Sequence, residues 1–160
     1  MAQEVQKGKF EAFDASGYRV GIVVAQFNRD ITDGLLKSAF EMAEKYGLKQ
    51  EDISVFQVAG SVEIPVVLRA LSVTYKYMAE KKYDALVALG CVIRGETNHY
   101  DYVCKIVSEG VLRVMIDYGI SVGFGVLMCE TKEQALSRFH VGGEAMQAAL
   151  QTLKVLKECC

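Results

Sequence analysis

Four nearly continuous apolar runs, rich in β-branched residues, constrain this chain more than any other feature: Tyr18 to Ala25 (YRVGIVVA), Ile53 to Val58 (ISVFQV), Asp84 to Ile93 (DALVALGCVI) and Ser121 to Met128 (SVGFGVLM). A strand with one wet face alternates apolar and polar residues. These runs scarcely alternate, so they read as strands covered on both faces. The segments between them carry helical spacing instead. Leu35, Leu36, Ala39, Phe40 and Ala43 follow Thr32 or Asp33, either of which can cap a helix that Gly47 can end. The only proline, Pro65, suits the first turn of a helix running through Leu68, Leu71 and Tyr75. Further helices fit Tyr100 to Tyr118, Thr131 to Arg138, and about Gly143 to Leu156.

Strands that alternate with helices of this length predict right-handed crossovers and a parallel sheet with helices on both faces. The expected fold is an α/β, three-layer α/β/α sandwich built on a flavodoxin-like sheet of four parallel strands. Phe10 and Phe13 need cover, so an extra N-terminal strand is expected around Lys9 to Phe13. The 160 residues, 1–160, fit one domain.

Charge and cysteine usage remove several classes of function. With 18 basic against 20 acidic residues there is no cationic surplus for nucleic acid. No apolar run is long enough to span a bilayer, and the start, MAQEVQKGKF, lacks the greasy core of a secretory signal, which predicts a cytoplasmic protein. Cys91, Cys104 and Cys129 lie in apolar segments without a Cys-x-x-Cys pair, as reduced buried thiols do, and the terminal Cys159 and Cys160 read as an unconstrained tail. No P-loop lysine, Ser-His-Asp order, metal-ligand cluster or Gly-x-Gly-x-x-Gly is present.

In an open parallel sheet, ligands collect beyond the carboxyl ends of the strands. That rule selects Gln26-Phe27-Asn28, Ala59-Gly60-Ser61-Val62-Glu63, and Arg94-Gly95-Glu96-Thr97-Asn98-His99. Phe27 reads either as a flat face for a planar ring or as a hydrophobic staple over the first helix. Asn28 can serve as a chain turn. The amides at Gly60 and Ser61 suit polar ligand groups or simply a loop-to-helix joint. Gly95, Glu96 and Thr97 precede a helix start, where free N–H groups and the positive dipole end favour phosphate; the plainer reading is that Thr97 or Asn98 caps the helix. His99 in that first turn is a candidate acid/base, or a structural histidine. Arg138 can face an anion or only complement a helix end, and His140 reads as a helix-end surface residue.

Taken together, Phe27-Asn28 with Ile31-Thr32, the run Gly60-Ser61-Val62-Glu63-Ile64-Pro65, GCVIRGETNHYDYV from Gly90 to Val103, and Phe124-Gly125-Val126 followed by Glu133-Gln134-Ala135 and Arg138 resemble the lumazine synthase family of riboflavin biosynthesis. The resemblance runs from about Val20 to Arg138. It implies a transferase that condenses 5-amino-6-ribitylamino-pyrimidinedione with 3,4-dihydroxy-2-butanone 4-phosphate to 6,7-dimethyl-8-ribityllumazine, with neither metal nor organic cofactor. It stacks Phe27 on the pyrimidine ring, counts Asn28 among the substrate-binding residues, and gives Ser61, Val62 and Glu63 the ribityl chain. Cys91, Val92 and Ile93 line the ring edge. Gly95, Glu96 and Thr97 bind phosphate together with Arg138, and His99 is the general acid/base. It also implies a homopentamer, with a larger shell as a further option, in which Phe124 and Arg138 come from the adjoining copy.

The chain departs from the family pattern in three places. Val62 stands where an aromatic is usual, and Cys91 replaces a common threonine. Phe139-His140-Val141-Gly142-Gly143-Glu144 replaces a longer lysine-bearing segment, so no lysine near Arg138 can be matched. A competing reading follows from that loss: a non-catalytic binder of a lumazine or flavin, or a structural assembly subunit.

Overall fold

The computed structural model describes residues 5–77 and 82–160, with the side chains of 74–77 outside the description. Its strands are β1 (Val20–Ala25), β2 (Ile53–Val58), β3 (Ala85–Ile93) and β4 (Ser121–Cys129), and its helices are α1 (Arg29–Lys45), α2 (Ile64–Tyr77), α3 (His99–Tyr118), α4 (Lys132–Leu136) and α5 (His140–Cys159). All strand pairs are parallel, in the order β2-β1-β3-β4. The expected three-layer α/β/α sandwich is therefore present.

Side chains on a strand point alternately to opposite faces, and each face needs its own cover. Ile22, Val24, Val87 and Leu89 pack with Leu35, Ala39, Met146 and Leu150 of α1 and α5. Val23, Ala25, Leu86 and Ala88 pack with Ile64, Leu68, Val107 and Val111 of α2 and α3. Two buried layers explain why β1 and β3 barely alternate; the expected cover on both faces fails at β2, an edge strand whose Val55 and Gln57 are exposed. Leu68 and Leu71 face the second core as their spacing predicts, whereas the Tyr75 side chain lies outside the described residues.

Three local expectations need correction. The strand expected at Lys9 to Phe13 does not form. This segment lies along α5, where Gln151 Nε2 donates to the Glu11 carbonyl at 2.9 Å, and Phe13 finds its cover edge-on against Tyr46, with ring centroids 5.2 Å apart. Helix α1 begins at Arg29, ahead of Thr32 or Asp33, because Asn28 takes a left-handed conformation (φ 57°, ψ 49°) and its carbonyl accepts the amides of Ile31 and Thr32 at 2.9 and 3.0 Å. Helix α5 begins at His140 and contains Gly142 and Gly143. Neither glycine breaks it, because both sit in close contact with α1.

The strand order places β1 between β2 and β3, so the chain reverses direction across the sheet between β1 and β3. A crevice at that reversal, beyond the carboxyl ends, is where such a sheet receives ligands.

Candidate active site

Register builds the crevice. β1 pairs with β3 only as far as Leu89, whereas β4 pairs with β3 as far as Ile93. Cys91, Val92 and Ile93 therefore project past the end of β1 with their β1-facing backbone edge uncovered by a strand. Asn28 bends over this edge. Its left-handed turn aims the carboxamide back at β3, and Nδ2 donates to the Cys91 carbonyl at 3.0 Å.

Phe27, Asn28, Gly60, Ser61, Val62, Glu63, Cys91, Val92, Ile93, His99 and Val103 line one open cleft of about 400 Å³. The Phe27 ring is 66% exposed and rests on the loop after β2, where a Cβ on Gly60 would fall 2.6 Å from the ring. One face is thus backed by glycine and the rest is bare, the arrangement a planar heterocycle needs for stacking. Ser61 is buried, and its position depends on Gly90: a Cβ there would meet Ser61 Oγ at 2.5 Å. Glu63 is partly committed to its own loop, since Oε2 accepts the Gly60 amide at 3.0 Å.

Gly95, Glu96, Thr97 and Asn98 form an exposed loop leading from β3 to α3. Asn98 occupies the cap position without a side-chain cap bond, and Thr97 Oγ1 accepts the His99 amide at 3.4 Å. A Cβ on Gly95 would meet nothing within 4 Å, so crowding inside the chain does not require a glycine there. His99 opens α3 and reaches the cleft wall. Gly95, Glu96 and Thr97 adjoin that wall without lining it.

Two expected residues lie outside the cleft. Phe124 is on β4, the sheet edge, and 40% exposed. Arg138 lies in the short joint between α4 and α5, exposed, with Nη1 donating to the Gln134 carbonyl at 2.6 Å and to Ser137 Oγ at 3.1 Å. The joint is only Ser137 to Phe139, and Val141 N donates to the Arg138 carbonyl at 3.1 Å, so α5 starts directly after it. Glu144 is paired with Lys7 and lies 4.0 Å from His140 Nε2.

Burial disfavours the thiolate of the cleft cysteine. Burial, with smaller contributions from the charges of Cys129 and Asp30, pushes Cys91 up to about 12, and burial also raises Cys129. Among the described residues no group of three or more His, Cys, Asp or Glu is placed to hold a metal ion, and no helix is long and apolar enough to cross a membrane. Sequence reasoning missed the Asn28 tie to β3 and Val103 as a lining residue. Gly60 lay in a selected segment, but only the fold reveals the ring seated on it.

Comparison with known proteins now bears on this geometry. Residues 17–157 match the family model of 6,7-dimethyl-8-ribityllumazine synthase. Proteins of that name are similar along most of their length: 42% identity over 154 residues in Corynebacterium kroppenstedtii, covering 92% of this chain and 90% of the relative; 40% over 149 residues in an Anaeromyxobacter species, covering 90% and 88%; and 38% over 150 residues in Desulfovibrio desulfuricans, covering 91% and 92%.

Proposed function

The chain belongs to the 6,7-dimethyl-8-ribityllumazine synthase family, and from that membership we propose how its residues carry out the lumazine-forming condensation in riboflavin biosynthesis. The observation that carries the proposal is the single cleft at the β1/β3 reversal, where a bare aromatic face, an unpaired strand edge and a histidine meet.

The pyrimidine stacks on Phe27, and its polar edge meets the backbone of Cys91, Val92 and Ile93. Its ribityl chain runs toward Ser61, Val62 and Glu63. The four-carbon substrate lies with its phosphate on the amides of Gly95, Glu96 and Thr97, at the positive end of α3. The substrate's own amine attacks the ketone, and loss of water leaves an imine. Loss of the proton from the neighbouring hydroxyl-bearing carbon supplies the electrons that expel inorganic phosphate with its bonding pair; the enol left behind tautomerises to a ketone, and the second amine condenses with that carbonyl to close the ring, releasing another water. His99 moves protons during these steps. Asn28, assigned by resemblance to substrate, acts here through the Cys91 carbonyl it holds.

Phe124 and Arg138 act from the adjoining copy in a homopentamer, which accounts for their position outside the cleft of their own chain. Val66, Tyr102, Ile106, Leu112 and Ile116 leave large apolar surface exposed on α2 and α3 and support such packing. All five thiols are free, which suits the reducing cytoplasm. The test mixes purified protein with both substrates and follows lumazine absorbance and fluorescence. Product above the uncatalysed background is expected; tight binding of the pyrimidine without product would overturn the enzymatic reading in favour of a binder.

A further inference from the structure

The loop that receives phosphate in this reading has few internal ties. It is exposed from Arg94 to His99, and its hydrogen bond from the His99 amide to Thr97 is long. Yet the reaction needs its amides and the imidazole at fixed places relative to the cleft, because small misplacements of reacting groups are costly in rate. Something outside the loop has to set it.

Arg94 is the residue between β3 and this loop. Its amide donates to the Cys129 carbonyl at 2.9 Å, fixing the strand end against β4. Its guanidinium spreads over three partners: Nε donates to Glu130 Oε2 at 2.7 Å, Nη2 donates to Asp101 Oδ1 at 3.2 Å, and Cζ sits 4.2 Å from the centroid of the Tyr100 ring. Tyr100 and Asp101 follow His99 directly in the first turn of α3. One side chain therefore ties the entrance of the loop to its exit. The tie continues outward, since the Glu130 amide donates to Gln134 Oε1 at 2.8 Å and the Gln134 carbonyl accepts Arg138 Nη1.

An arginine at the mouth of a phosphate loop is ordinarily a direct anion ligand. Here two carboxylates take two of its five N–H donors and offset its charge, and a ring covers one face. We infer that Arg94 is a positioning residue for the reaction: held by Asp101, Glu130 and Tyr100, it sets the Gly95–Thr97 cradle and His99 against the cleft and does not itself bind the substrate's phosphate. This rests on the assignment of that loop to phosphate. Exposed ion pairs of this kind add little to global stability, so the consequence of losing them falls on the loop.

The sign of the carboxylate variants separates the two roles. Steady-state kinetics with both substrates are measured for Arg94→Gln, Asp101→Asn and Glu130→Gln, with a melting temperature for each. A positioning role raises the KM for the sugar phosphate about tenfold in Arg94→Gln and about threefold in each carboxylate variant, with the KM for the pyrimidine little changed. Arg94→Lys, which keeps the charge but cannot bridge both carboxylates, follows Arg94→Gln. If neutralising Asp101 or Glu130 instead lowers the KM for the sugar phosphate, the guanidinium is a direct ligand that those carboxylates restrain, and the inference is overturned. Parental KM values in every variant, with only melting temperatures reduced, overturn it as well. Asp101 and Glu130 are surface residues, so the test survives an Arg94 variant that fails to fold. Calorimetric titration with inorganic phosphate, expected to weaken in the same order, decides the inference even for a parent protein that forms no lumazine, whereas that lack of product bears on the proposed function alone.

Discussion

The two helical layers present opposite surfaces to their surroundings. On the side of α1 and α5 the helices approach until backbone touches backbone: a Cβ on Gly142 would fall 1.9 Å from the Leu35 carbonyl oxygen, and the Gly143 amide donates to Ser38 Oγ at 3.0 Å. The α2 and α3 layer buries its inner face equally well, yet turns Val66, Tyr102, Ile106, Leu112 and Ile116 outward. Ile116 is 73% exposed, which no requirement of the single chain explains. Among the described residues the first layer leaves one large apolar side chain of α1 and α5 exposed, Val155, against five on α2 and α3, where a contact between copies would find its cover. The cleft opens beside this second layer, through His99 and Val103 of α3 and the Ser61–Glu63 turn ahead of α2.

The comparison breaks most severely at Gly142. In Gly142→Val the new side chain meets the Leu35 backbone, which no rotamer change can relieve. Overpacking at the upper end of its usual range, about 3 kcal/mol, lowers the melting temperature of a domain this size by about 6–12 °C, or prevents accumulation of folded protein. Thermal denaturation followed by circular dichroism measures it. A melting temperature within a degree of the parent would mean that the two helices can separate freely, and that the layer is not sealed as described.

Changes on the other layer are expected to spare the fold and cost the assembly. Ile106→Glu combined with Ile116→Lys places charge where two copies would touch, so light scattering should report monomers with an unaltered circular dichroism spectrum. With the site shared between copies as proposed, turnover should then fall about 100-fold, because a cleft deprived of a neighbour's Phe124 and Arg138 would no longer hold both substrates in register. A variant that keeps the parental mass would move the contact away from α3.

Sharing of the site between copies can be tested more finely. His99→Ala should reduce kcat about 100-fold, toward the lower end of what proton transfer contributes, since alignment of the substrates supplies part of the acceleration. Arg138→Ala should chiefly raise the KM for the sugar phosphate, by about tenfold for a lost charged hydrogen bond. Mixed oligomers refolded from the two variants should contain some clefts with both groups intact, and so exceed the average of the separate preparations. Strictly average activity would place His99 and Arg138 in the site of the same chain.

These regions also differ in how far the sequence announces them. Burial on both faces of a strand leaves a one-dimensional mark, so β1 and β3 are found within a residue or two of their expected bounds; β2 keeps its bounds through its β-branched run although one face is largely open. The post-strand rule likewise gathers Phe27, Ser61 and His99 at one edge before any fold is known. Helix starts are less legible, because they depend on single torsions and distant partners. Asn28 starts α1 through a left-handed turn stabilised across the crevice at Cys91, 63 residues away, and Gly142 and Gly143 remain helical only because α1 lies against them. The clamp at Arg94 was hidden for the same reason: Glu130 lies 36 residues further on, and an arginine next to a strand end looks the same whether its donors are free or taken.

The smallest effect separates the layers thiol by thiol. Cys91 and Cys129 belong to the core on the α1 and α5 side, whereas Cys159 and Cys160 are exposed at the chain end. Burial disfavours the thiolate and so raises the thiol pKa; at about 12, Cys91 holds only about one part in 10⁴ as thiolate at pH 8. The reactive fraction should rise about tenfold for each pH unit below that value while the fold persists, and access through the packed layer slows the reaction further. Iodoacetamide followed by peptide mass mapping should therefore label Cys159 and Cys160 within minutes and leave Cys91 and Cys129 unmodified, with catalysis unchanged because the proposed mechanism gives no thiol side chain a role. Labelling of Cys129, which lies in that core away from the cleft, at the rate of the terminal pair would show that the α1 and α5 layer opens on the timescale of the experiment, and the contrast between a sealed layer and an unfinished one would no longer stand.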